Sequence, residues 1–169
     1  MSEPAKSSYL VDPRSDPVLV RIEGRASFQN CGGLRDFITT MTAEGRRRFV
    51  LDLQECASMD STFLGVLAGA ALSLRKFGPE ASLVVARASP RHVELMRSLG
   101  LHRLLVIAPP ESALPAAGSA TVLETKRPGE VDGARLVLEA HENLVSADEA
   151  NRAKFEDVLS FLRQRTGQK

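Results

Sequence analysis

From Phe63 to Phe77 the chain carries no charged side chain until Arg75, and leucine, alanine, valine and phenylalanine fill most of that stretch. Such a segment predicts a helix that is apolar nearly all round, and a helix of that kind has to be buried rather than laid on a surface. It is too short to cross a bilayer, which takes about 20 apolar residues. It therefore needs protein packed around it. Gly65 and Gly69 fall within it, each costing about 1 kcal/mol of helix propensity relative to alanine. A helix that carries both gains close approach of its backbone to a neighbour, here expected to be a sheet.

The flanking segments supply that sheet. Val18, Val20 and Ile22 alternate with Leu19 and Arg21 as in a strand. Phe49-Val50-Leu51-Asp52-Leu53 and Leu83-Val84-Val85-Ala86 are short apolar runs of the buried-strand type, and Leu104–Ile107 is a fourth strand. Between them, Asn30 can cap a helix through Leu34, Phe37, Ile38 and Met41 that Gly45 ends. Ser89-Pro90 can start another, presenting Val93, Met96 and Leu99 before Gly100 closes it. Alternation of this kind predicts an α/β fold: a small mixed sheet with helices packed mainly on one face.

Residues 1–16 read as a flexible N-terminal arm with room for a short strand at Tyr9–Val11, and 17–115 as the domain. Ala108 to Ala120 is rich in proline and alanine and suits a short helix or linker, with the linker proper at 116–132. Residues 133–169 then form a C-terminal helical extension. Its first helix carries Ala134, Leu136, Val137, Leu138, Ala140, Leu144 and Val145. Ser146-Ala147-Asp148-Glu149 has the spacing of a capping box for the second. That helix sets Phe155, Val158, Leu159 and Leu162 on one stripe, which predicts docking on the domain or pairing with a second subunit. Residues 130–157 hold eight acidic and three basic side chains, so the outer face of the extension is acidic.

Charge and chemistry exclude several classes of function. Twenty-two basic against 21 acidic side chains leave a net charge of +1, which argues against broad binding of nucleic acid. No apolar run spans a membrane, and the polar N-terminus lacks the core of a secretion signal, so cytoplasmic location is expected. His92, His102 and His141 are isolated in sequence and read as surface or helix-end residues rather than metal ligands. Cys31 and Cys56 form no CxxC and read as small buried hydrophobes. Arg46-Arg47-Arg48 reads as a solvated turn. Neither Ser58 nor Ser61 lies in a GxSxG elbow, and no phosphate-binding glycine loop is present. No catalytic residue, metal or cofactor is expected, and the chain does not read as an enzyme.

There remains Asp60-Ser61-Thr62, between a buried strand and the apolar helix. All three are residues that cap helices. A hydroxyl at the first turn also faces unpaired amides and the positive end of the helix dipole, where a phosphate would be held. Residues 49–65, FVLDLQECASMDSTFLG, resemble the core of the STAS domain of bacterial anti-sigma factor antagonists, with Asp52, Asp60, Ser61, Thr62, Leu64 and Gly65 matching the family's strand-loop-helix motif. The resemblance runs from about Val18 to Leu114, with VIAPPESAL similar to the family's last strand and helix. It differs at Phe63, where many members have a small residue, and at Ser27, where antagonists often carry an Asp.

The resemblance implies a non-catalytic signalling module that regulates transcription. In it, Ser61 is the phosphoacceptor of an anti-sigma factor serine kinase, and a serine phosphatase resets it. Asp60, Ser61, Thr62 and an exposed or half-exposed Phe63 would form the partner surface. Two alternatives stand beside this reading. One is a constitutive scaffold or homo-oligomer working through Phe63 and the C-terminal helices; the other is a sensor of a small ligand or nucleotide.

Overall fold

The computed structural model describes residues 7–114 and 119–167. Apolar runs in the first half form five strands, β1 (Ser8–Asp12), β2 (Val18–Ala26), β3 (Arg48–Asp52), β4 (Cys56–Met59) and β5 (Ser82–Ala86), with β6 (Val106–Ile107) and β7 (Thr121–Val122) following. Five helices alternate with them or follow: α1 (Cys31–Ala43), α2 (Ser61–Arg75), α3 (Pro90–Ser98), α4 (Glu130–Ala147) and α5 (Asn151–Arg165). The sheet runs β6-β5-β3-β2-β1-β7, with β4 continuing beside β2. Pairs β2–β3, β3–β5 and β5–β6 are parallel, whereas β1 is antiparallel to both β2 and β7. The α/β class, the mixed sheet and the helical extension are as the sequence predicts.

One face of the sheet carries the main core. Val18, Val20, Ile22, Phe49, Leu51, Leu83 and Val85 point into it and meet Leu34 and Ile38 of α1, Phe63, Leu64 and Leu67 of α2, and Met96 of α3. The opposite face is thinly covered, with Leu19, Val50 and Ala86 against Ala108 and Leu114. That division follows from the crossovers, which place α1, α2 and α3 on a common side.

Several boundaries differ from the sequence reading. Within the expected flexible arm, residues 8–12 form β1, and Tyr9 is buried with its hydroxyl donating to Asn30 Oδ1 at 2.5 Å; residues 1–6 of that arm lie outside the described residues. Asn30 does stand at the head of α1, yet its side chain bonds Tyr9 and the Ser27 amide instead of capping the helix. Residues 108–114 form a turn and extended chain, not a helix, since Pro109 and Pro110 lack amide donors and Leu114 precedes another proline. Part of the expected linker, at 121–122, is β7. The capping box is overturned: Ser146 lies in the last turn of α4, the chain breaks at Asp148, and Ala150 stands at the head of α5 with no side-chain cap.

The extension docks on α2. A Cβ on Gly65 would lie 2.1 Å from the carbonyl oxygen of Ala140, so the backbones of α2 and α4 touch there. Close approach is thus made to α4, where the sequence suggested the sheet. Leu136 and Leu144 of α4 enter the main core, while Leu138 and Val145 form a smaller cluster with Leu159 and Leu162 of α5. Asn151, fully buried between them, donates to the carbonyl oxygens of Leu99 and Leu144 at 2.9 and 2.7 Å. Val158 lies outside this packing at 40% exposure. No described helix is long and apolar enough to cross a membrane.

Candidate functional site

The site is built where β2 and β4 end beside each other and the chain turns into α2. The Asp60 amide donates to the Ala26 carbonyl at 3.1 Å, which fixes the turn. Its Oδ1 accepts the Phe63 amide at 2.9 Å, an ordinary N-cap, and its Oδ2 accepts the Phe28 amide at 2.9 Å from the loop after β2. Both carboxylate oxygens are therefore spent within the chain. Asp60 staples two loops together. Ser27, in that same β2–α1 loop, contributes its carbonyl to the start of α1.

Ser61 is the first residue of α2 and is half-buried. Because Asp60 does the capping, the Ser61 hydroxyl is free for another partner, and it finds one in the extension: Oγ lies 2.9 Å from Nε2 of His141. His141 is 3% exposed. Its Nδ1 lies 2.7 Å from the Val137 carbonyl, which can only accept, so Nδ1 carries a proton. In the neutral ring Nε2 is then the acceptor, and the Ser61 hydroxyl donates to it. The Phe155 ring of α5 stands edge-to-face on the imidazole at 4.8 Å between centroids. Three helices, α2, α4 and α5, thus meet around one hydroxyl.

The remaining predicted contacts are not on the surface. Thr62 is 5% exposed, and Phe63 is 0% exposed within the main core. Phe63 as an exposed partner contact is therefore corrected. α2 is enclosed on nearly every side from Thr62 onward, and an aromatic ring there gains more from burial than it would at a surface. His141 was missed in the opposite sense. It lies four residues after Val137 and three before Leu144, on the apolar stripe of its helix, and that spacing is the signal that marked it as inward-facing.

A second polar cluster lies at the carboxyl ends of β3 and β5. Asp52, fully buried on β3, accepts from Arg87 Nε at 3.1 Å, from a second Arg87 nitrogen, from Arg21 Nε at 3.4 Å and from the Gln54 amide at 3.1 Å. Burial pushes its carboxyl up, but the Arg87 hydrogen bonds, the Gln54 amide and the two guanidinium charges outweigh this and hold it below the ordinary value. Arg87 adopts a left-handed backbone (φ 54°) to make this contact. Both cysteines are buried and unpaired, and burial pushes the Cys31 thiol up to about 12. Among the described residues no three His, Cys, Asp or Glu side chains converge as metal ligands would.

Comparison with known proteins bears on the family and the fold. A family model described as "Mlab, STAS domain" matches residues 10–107. Among solved structures, the anti-sigma factor antagonist SpoIIAA in its unphosphorylated form matches with a TM-score of 0.52 at 15% identity, over 62% of this chain and 91% of its own. A putative anti-sigma factor antagonist from Thermotoga maritima matches with a TM-score of 0.47 at 19% identity, over 62% of this chain and 83% of its own. No curated protein matches the sequence.

Proposed function

The chain belongs to the STAS domain family, and from that premise we propose that it is a non-catalytic signalling module of the anti-sigma factor antagonist kind, controlled by phosphorylation of Ser61. The observation that carries the reading is the division of labour at the head of α2. Asp60 holds the fold with both oxygens, which leaves the Ser61 hydroxyl as a half-exposed group that the helix does not need for capping. A phosphate there adds a charge of about −2 to a surface that is nearly neutral, and it sits at the positive end of α2. With Ser61 free, the turn around Asp60 docks against an anti-sigma factor serine kinase. With Ser61 phosphorylated, that partner loses the surface through repulsion and desolvation. A serine phosphatase reverses the change.

The test is transfer of labelled phosphate from ATP by an anti-sigma factor kinase encoded in the same genome. The wild-type chain and a Thr62→Ala variant take up label, and Ser61→Ala does not. Label on another residue, or none, overturns the switch. A second reading, the constitutive scaffold or oligomerisation module, is favoured by the outer face of α5, where Phe161 is 61% exposed beside Val158. In that case Ser61→Ala and Ser61→Asp bind the partner equally, and Phe161→Ser lowers the particle mass.

A further inference from the structure

Any functional use of Ser61 has to reckon with a residue that the STAS domain itself does not supply. His141 belongs to the C-terminal extension, 80 positions along the chain, and it is the hydrogen-bond partner of the Ser61 hydroxyl. Its ring is fixed on two sides. The Nδ1 proton is committed to the Val137 carbonyl, and the Phe155 ring packs against the imidazole in a T-shaped pair. Nε2 is the nitrogen left to respond to what happens at Ser61.

We propose that His141 reads the modification state of Ser61 from within the chain: it accepts the hydroxyl proton while Ser61 is free, and as an imidazolium it binds the phosphate once Ser61 carries one. Phosphorylation then fastens α4 and α5 to the domain instead of releasing them. This rests on Ser61 being the phosphoacceptor.

The chemistry balances. The Ser61 oxygen attacks the γ-phosphorus of a nucleoside triphosphate held by a partner kinase, the bond to the leaving nucleoside diphosphate breaks, and the hydroxyl proton passes to Nε2, to which it is already hydrogen-bonded. The products are a phosphoserine and an imidazolium in contact. The surroundings favour that pair. The groups meeting the imidazole are the Ser61 hydroxyl from α2, the Val137 carbonyl from α4 and the Phe155 ring from α5, and among the described residues no carboxylate lies within ion-pair distance of it. A phosphate would be the first anion the ring meets. Asp60 caps only the Phe63 amide and its carbonyl takes that of Leu64. The first-turn amides of Ser61 and Thr62 therefore remain for phosphate oxygens.

The experiment uses the full chain with phosphoserine encoded at position 61, so that no kinase is needed. Nitrogen-15 spectra of His141 at neutral pH and hydrogen exchange across α4 and α5 are compared with the unmodified protein. Nε2 is expected to move from the unprotonated to the protonated range. Exchange in α4 is expected to slow by roughly tenfold or more, the effect of one charge-assisted hydrogen bond. His141→Gln keeps a neutral partner for Ser61 but cannot become a cation, and in it the slowing is lost. Faster exchange of α4 and α5 on phosphorylation, an unprotonated Nε2, or the same slowing in His141→Gln each overturns the proposal. Absence of kinase labelling at Ser61 overturns only the phosphoacceptor reading, which keeps the two failures distinct.

Discussion

Gly65 is the point at which the docking of the extension can be tested by a single methyl group. Alanine there places Cβ 2.1 Å from the carbonyl oxygen of Ala140 and 2.5 Å from its carbon. Carbon and oxygen in contact rest at about 3.3 Å or more, so α4 has to retreat by roughly 1 Å along its whole contact with α2, since a backbone cannot swing aside. Overpacking of this kind costs about 1–3 kcal/mol. The retreat also stretches the Asn143 side-chain bond to the Gly65 carbonyl (3.2 Å) and the Ser61–His141 bond (2.9 Å), together about 1–2 kcal/mol. Against this stands the gain of about 1 kcal/mol from replacing a helical glycine by alanine. The net is a loss of about 1–4 kcal/mol. Gly69→Ala is the internal comparison. It has the same propensity gain, but its Cβ meets the Asn143 amide nitrogen at 2.4 Å, the end of a side chain that can rotate away. Its loss of one hydrogen bond and its gain in propensity nearly cancel, each being about 1 kcal/mol. Urea denaturation of the two variants and the wild type, read at equal slopes, measures the difference. If Gly65→Ala is as stable as Gly69→Ala, α4 does not lie on α2 as described.

Two further outcomes follow from the buried ionisable groups. Asp52 has a folded-state value held below the ordinary one, near 3.9 for an unfolded aspartate; its contribution is therefore fully present above about pH 4 and is lost as pH falls through the lower folded value. Asp52→Asn should lower stability at neutral pH and flatten its fall below about pH 4, checked by thermal melts across acid pH. Cys31, 0% exposed with its thiol pushed up to about 12, should resist alkylation at pH 8 in the native protein and react only after unfolding. Rapid native labelling of Cys31, followed by mass spectrometry, would mean that α1 opens at its first turn.

Strands β2, β3, β5 and β6 and the helices α1 to α3 are legible because each has a local cause, as in the alternation at Val18–Ile22, the apolar run at Phe49–Leu53, and Ser89 accepting the His92 amide with Pro90 behind it; β4 and β7 have none and are not. What the residues do not carry is the identity of a distant neighbour. The glycines of α2 announce close approach, but composition shows that a face is buried and not what buries it. For the same reason Phe63, beside a polar turn, reads as surface while lying in the core, and His141, polar in name, reads as surface while lying on an inward stripe. β1 is legible at its centre, Tyr9–Val11, and pairing on both sides with β2 and β7 extends it to Ser8–Asp12. The site divides along this line. Asp60-Ser61-Thr62 is local and visible; the His141 contact is long-range and is not.

That division also bears on why a hydroxyl at this position can change state without unfolding the domain. Removing the Asp60 carboxylate costs two backbone donors their acceptor, at Phe63 and at Phe28, and so loosens both the start of α2 and the loop after β2. Changing Ser61 alters one side-chain bond, to a residue outside the STAS domain proper. The first would cost about 1–3 kcal/mol for each amide left unpaired, the second about 0.5–1.5 kcal/mol for one neutral hydrogen bond. Against a domain stability of about 5–15 kcal/mol the second is small. The structural duty of the turn is thus concentrated in Asp60, and under the proposed phosphorylation of Ser61 the first effect falls on the α2–α4 contact rather than on the core.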